Sequence, residues 1–115
     1  MRTLCSVDAV LHYLRMEHVS DQEVKVIEKK ANAIRVSLIE SLIEAGSGHT
    51  AGPLGMADVF ATLFFSVMRY DPKNLLLDTR DRLILSNGHI SPVLYATMAH
   101  AGYFPAAPNL SLIHI

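Results

Sequence analysis

At 115 residues, half of them hydrophobic and 18% charged, the chain has the composition of one small packed domain. A formal net charge of −1 without a basic run gives no sign of nucleic-acid or other polyanion binding by general charge. No apolar stretch approaches the roughly 18 residues of a membrane span. Met1-Arg2-Thr3-Leu4 lacks a signal-peptide pattern, and the single Cys5, which cannot form an internal disulfide, fits a reducing cytosol.

Val7, Val10, Leu11 and Leu14 are spaced as one face of a short helix with Ser6 as its cap, which turns His12 and His18 toward solvent. Ser20 and Glu23 then form a capping box, with Val19 and Val24 as a hydrophobic staple. Ile27, Ala31, Ile34, Leu38 and Leu42 recur at helical steps, while Lys29, Asn32, Ser37 and Glu44 lie off that stripe. Gly46 is placed to end this helix in a left-handed cap, and the stripe predicts core or a buried subunit contact. The stretch up to Gly55 reads as a loop. Met56, Val59, Phe60, Leu63 and Val67 mark a further helix, which Ala57, Ala61, Phe64 and Phe65 make apolar around most of its circumference.

Asp71-Pro72 stops that helix, and Lys73 to Arg82 reads as a loop. Leu83-Ile84-Leu85 is expected to be a buried parallel strand. Ser91 is placed as N-cap before Pro92 at the first helical position. Leu94, Tyr95, Met98 and Ala99 form the apolar face of the last helix, which Gly102 closes. Helices with one strand predict an α/β fold: the helix-rich opening part of a parallel-sheet domain, incomplete within this chain.

Two segments carry the chemistry. Gly46-Ser47-Gly48-His49 lies just upstream of one apolar helix, and Leu85-Ser86-Asn87-Gly88-His89 just upstream of another. Helix N-termini present unpaired N–H groups and a partial positive charge, and glycine lets backbone approach a ligand. Read alone, the pattern fits an anion site with proton chemistry, or two ordinary loops with partly exposed histidines. A neutral imidazole handles protons near pH 7. Asp58 reads as a favourable dipole contact in a helix's first turn, and Asp81 as a loop brace between Arg80 and Arg82. His100 is expected to be exposed. No zinc-ligand spacing, P-loop or dinucleotide glycine pattern occurs.

Ser47-Gly48-His49 with Gly52-Pro53-Leu54-Gly55-Met56-Ala57-Asp58 resembles the N-terminal signature of transketolases. Asp71-Pro72-Lys73-Asn74, Arg80-Asp81-Arg82, Leu85-Ser86-Asn87-Gly88-His89 and Ala101-Gly102-Tyr103-Phe104-Pro105 follow in that family's order and spacing. Deoxyxylulose-phosphate synthases share the first Gly-His pair but lack the second motif in this form. Thr50 and Leu75-Leu76-Leu77 depart from the transketolase pattern, where proline and an aromatic residue are usual.

The resemblance implies a thiamine diphosphate-binding domain. It implies His49 as a catalytic residue that meets sugar substrate and assists proton transfer. It implies His89 as a cofactor-binding residue. The implied parent enzyme moves a two-carbon ketol unit between sugar phosphates with thiamine diphosphate and Mg2+. It would be cytoplasmic, either a homodimer or a complex with a C-terminal transketolase subunit, with no nucleic-acid or membrane partner. The family's Gly-Asp-Gly metal motif is absent from this chain, so no metal ligand is assigned and the chain alone is expected to be inactive.

Three regions follow: an N-terminal helical extension over 1–19, a partial cofactor-binding domain over 20–109, and a non-native tail over 110–115. The tail, Leu110-Ser111-Leu112-Ile113-His114-Ile115, continues no earlier pattern. It is one frame's translation of CTGTCTCTTATACACATC, a transposase mosaic end used in sequencing libraries, so a longer native protein is expected. A different reading is a short, non-catalytic helical interaction protein derived from a transketolase N-terminus, using the Met56–Val67 helix as its partner face.

Overall fold

A computed structural model of the chain describes residues 19–105. The expected helix over Val7–Leu14, the histidines His12, His18 and His114, and the 110–115 tail lie outside the described residues.

Ser20 starts the first helix, α1 (Asp21–Ala45), with the expected reciprocal cap. The Glu23 N–H donates to Ser20 Oγ at 3.3 Å and the Ser20 N–H donates to Glu23 Oε2 at 2.8 Å. Two orphan N–H groups are thereby satisfied, and these bonds hold the Glu23 carboxyl below its usual range. The chain leaves α1 through Gly46 at φ 65°, as expected.

The second helix, α2 (Ala51–Thr62), begins five residues earlier than Met56. Gly52, Pro53 and Gly55 are helical, not loop. Pro53 is tolerated because N–H groups of a first turn have no intrahelical acceptor. A π-helical turn, Leu63–Val67, widens the end of α2, with the Met68 N–H donating to Leu63 O at 2.7 Å. The earlier start also moves Asp58 out of the first turn. It sits in mid-helix and forms an ion pair with Arg35 of α1. Arg35 also donates to Leu54 O at 3.4 Å and to Asn32 Oδ1 at 3.1 Å. Asp58 therefore ties two helices together instead of meeting a helix dipole.

The third helix, α3 (Ser91–His100), follows a single 3-10 turn, Gly88–Ile90. Its N-cap is Ile90, so Ser91 is its first residue and not its cap. Gly102 closes it at φ 89°. The Gly102 N–H donates to Ala99 O and the Tyr103 N–H to Met98 O, both at 3.1 Å, the two bonds of a Schellman motif.

Each of the three helices packs on the other two. α1 buries Ala31, Ile34, Leu38 and Leu42; α2 buries Ala57, Phe60 and Ala61; α3 buries Val93 and Ala96. The expected α1 stripe is thus core, with Ile27 at its half-buried edge. α2 is less enclosed than its composition suggests, since Val59 is exposed. On α3 the deepest residues are Val93, Ala96 and Thr97, with Leu94, Tyr95 and Met98 only half-buried. Thr97 satisfies its buried hydroxyl by donating to Val93 O at 2.6 Å. No helix among the described residues is long and apolar enough to cross a membrane.

Leu83-Ile84-Leu85 does not form a strand, and no strand occurs among the described residues. Leu83 and Leu85 pack against the core while Ile84 is 91% exposed. The run alternates like a strand, but a sheet needs a neighbouring backbone, and no described segment supplies one.

Candidate functional site

The two glycine-histidine segments converge. His49 and His89 lie with ring centres 5.4 Å apart and planes tilted by 47°. They share a cleft of about 240 Å³ with Ala45, Ser47, Gly48, Gly88, Ser91 and Pro92.

The first segment is shaped by its backbone. After Gly46 the chain turns again at Gly48, whose φ of 134° suits glycine alone. A Cβ at Gly48 would also collide with the Leu42 side chain, so the loop is pressed onto the end of α1. His49 then precedes the entry to α2 at Thr50, which makes no side-chain cap bond.

The second segment is positioned by packing. Ile90 is buried beneath the 3-10 turn and carries His89 with it. Gly52 of α2 faces both residues. A Cβ there would stand 3.1 Å from Ile90 Cγ2 and 3.5 Å from His89 Cδ2. The missing side chain of Gly52 is thus the space against which the His89 ring rests. Sequence reading missed this role because Gly-Pro ordinarily marks a loop. Ser47 and Ser91 were likewise not expected to line the cleft.

Both imidazoles are exposed, and neither makes a hydrogen bond among the described residues. Among the described residues no lysine, arginine or carboxylate lines the cleft. It offers two imidazoles, two serine hydroxyls and the first turn of α3, with the entry to α2 following directly after His49. Such a set suits an oxygen-rich, anionic ligand and proton exchange with it. Among the described residues no group of three or more His, Cys, Asp or Glu side chains is placed to hold a metal ion.

The other predicted positions lie elsewhere. Asp81 braces its loop as expected: its Oδ2 accepts from the Arg69 N–H, and its own N–H donates to Arg69 O, each at 2.8 Å. Arg80 donates to Leu75 O at 2.9 Å. His100 corrects the expectation of an exposed ring. It is partly buried between α3 and α1, with Nε2 hydrogen-bonded to Ser37 Oγ at 2.9 Å. Desolvation holds it below the usual imidazole range and Lys30 adds to the shift, while a bond to the Ala33 backbone opposes it. A second cavity of about 280 Å³ is lined mainly by apolar residues, among them Phe64, Leu83, Met98 and Tyr103. Tyr70 is stacked on Tyr103 at 5.6 Å and edge-on to Phe64 at 5.5 Å.

The family model for the thiamine diphosphate binding domain of transketolase matches residues 26–111. Transketolase of Mus musculus is 41% identical over 99 residues, covering 83% of this chain and 15% of the relative. The 6-deoxy-6-sulfo-D-fructose transketolase subunit SqwG of Clostridium sp. (strain MSTE9) is 42% identical over 87 residues, covering 76% of this chain and 31% of the relative. Transketolase of Buchnera aphidicola subsp. Baizongia pistaciae is 48% identical over 75 residues, covering 65% of this chain and 11% of the relative. The chain belongs to the transketolase thiamine diphosphate binding domain family and spans under a third of each of these relatives.

Proposed function

We propose that this member of the transketolase family is the opening part, over residues 20–109, of the cofactor-binding domain of an enzyme that transfers a two-carbon ketol unit between sugar phosphates. One observation carries the reading: His49 and His89, 40 positions apart in the sequence, meet in one cleft beside two helix N-termini. Residues 1–19 are read as an extension, and 110–115 as a non-native tail. In the full protein Leu83-Ile84-Leu85 joins a parallel sheet completed by strands outside the described residues, which would cover Ile84.

The cleft fits part of thiamine diphosphate. The N–H groups of the first turn of α3 and the His89 ring suit an anionic oxygen and an adjoining ring. When bound, the cofactor supplies carbanion stabilisation, and the protein supplies position and electrostatics. His89 orients the cofactor. His49 exchanges a proton with a hydroxyl oxygen of the sugar. The described residues contain no cluster suited to Mg2+, a hard ion that takes oxygen ligands. Its ligands, and the rest of the active site, would therefore come from the remainder of the protein or a partner. That partner is a second copy or a C-terminal subunit; the relative named as a transketolase subunit supports the split arrangement. The enzyme is read as cytoplasmic.

Calorimetry tests this division of labour. The 115-residue chain should show no Mg2+-dependent affinity for thiamine diphosphate and no turnover. A protein extended through the remaining domain should show both. Tight, chelator-sensitive cofactor binding by the short chain overturns the assignment.

A further inference from the structure

We infer that His49 and His89 form a two-imidazole site for a divalent ion of the zinc, copper or nickel class. Two imidazoles bound to one zinc at about 2.0–2.1 Å with a near-tetrahedral angle place their ring centres roughly 5 Å apart. The observed separation is 5.4 Å. The 47° tilt excludes flat stacking as the reason for that approach. Neither ring is engaged in a hydrogen bond among the described residues, and the Nε2 edge of His89 rests toward Gly52. Among the described residues no lysine or arginine lines the cleft to repel a cation. Imidazole is a favoured ligand of zinc, copper and nickel, whereas magnesium prefers oxygen.

The affinity is set by what the site lacks. Two protein ligands leave open positions for water or an anion, in a cleft that Ser47 and Ser91 also line. Among the described residues no carboxylate lines the cleft to orient either ring, and such support strengthens metal binding. The positive ends of α2 and α3 also oppose a bare cation and favour one carrying an anion. The site is therefore a weak, exchangeable one and not a structural zinc site. Since the ligands come from separate loops, binding also requires the folded arrangement. The inference does not depend on the reaction proposed above, because it is read on the ion alone.

Zinc titration of the 115-residue chain by calorimetry, at neutral pH and in excess magnesium, tests the site. One ion should bind per chain, and magnesium should not compete. His49→Ala and His89→Ala should each weaken binding by at least about tenfold, since losing only a partner that orients a ligand already costs that much, while His100→Ala leaves it unchanged. Both cleft rings are exposed, so their removal spares the core, and circular dichroism checks that it does. In a parallel measurement, substoichiometric Ni2+ should broaden the NMR ring signals of His49 and His89 before that of His100. Zinc affinity unchanged in the His49→Ala/His89→Ala double variant overturns the proposal, as does broadening that starts at any other histidine.

Discussion

The loop ending at His49 and the turn holding His89 deliver the same side chain to the same cleft by different physics. At His49 the backbone decides: Gly48 occupies a conformation closed to other residues and lies against Leu42. At His89 the core decides: Ile90 is 3% exposed, and Gly52 leaves room for it on α2. The two Gly-His dipeptides look equivalent in the sequence, yet their glycines differ. Gly88 has no positive φ, and a Cβ there would meet nothing within 4 Å. A repeated motif can therefore mark equivalent chemistry without equivalent structural causes.

The largest expected effect concerns what the two arms share. In a complete enzyme carrying this segment, His49→Ala should lower turnover by roughly 10²–10⁴, the usual value of one positioned proton-transfer group. His89→Ala should act mainly on cofactor affinity. Steady-state kinetics with cofactor titration separates the two, and equal behaviour of both variants and His100→Ala would remove the functional assignment.

Ile90→Ala comes next, because it attacks the packed arm. Truncating a buried isoleucine costs about 2–5 kcal/mol, measured by urea unfolding of the purified protein. In the zinc titration it should also weaken binding, since His89 loses its seat. Gly48→Ala attacks the other arm and should destabilise by about 1–3 kcal/mol through backbone strain. Gly88→Ala should stay within about 0.5 kcal/mol. Equal costs for the two glycine variants would break the contrast between the loops.

The smallest effect lies outside the cleft and is a pH dependence. Folding lowers the His100 pKa, so the unfolded chain binds more protons just below the ordinary imidazole value. The stability contributed by the neutral ring is full above about pH 6.5 and is lost as pH falls toward the lowered folded value. Urea midpoints measured between about pH 5 and 7 should fall with acidity in the wild type. The slope should be shallower in His100→Asn.

Much of this was legible because it is local. The Ser20–Glu23 capping box, the Gly46 and Gly102 stops and the α1 stripe all depend on residues within one helical turn or one helical period. The Gly-His loops were legible as chemistry for the same reason. Three features were not. Gly52-Pro53-Leu54-Gly55 carries loop residues yet forms helix, because a first turn does not need the proline N–H and packing on Ile90 requires a small residue. His100 has no local sign of burial; α1 supplies Ser37 and Lys30 from 63 and 70 positions away. Leu83-Ile84-Leu85 has a strand's alternation, but pairing is a property of two segments, and one was read. The sequence by itself determined where α1 starts and stops, where α3 ends, and which two histidines follow glycine just ahead of a helix. Only the tertiary structure decided that those histidines face each other, because the 5.4 Å between the rings depends on how α1, α2 and α3 pack.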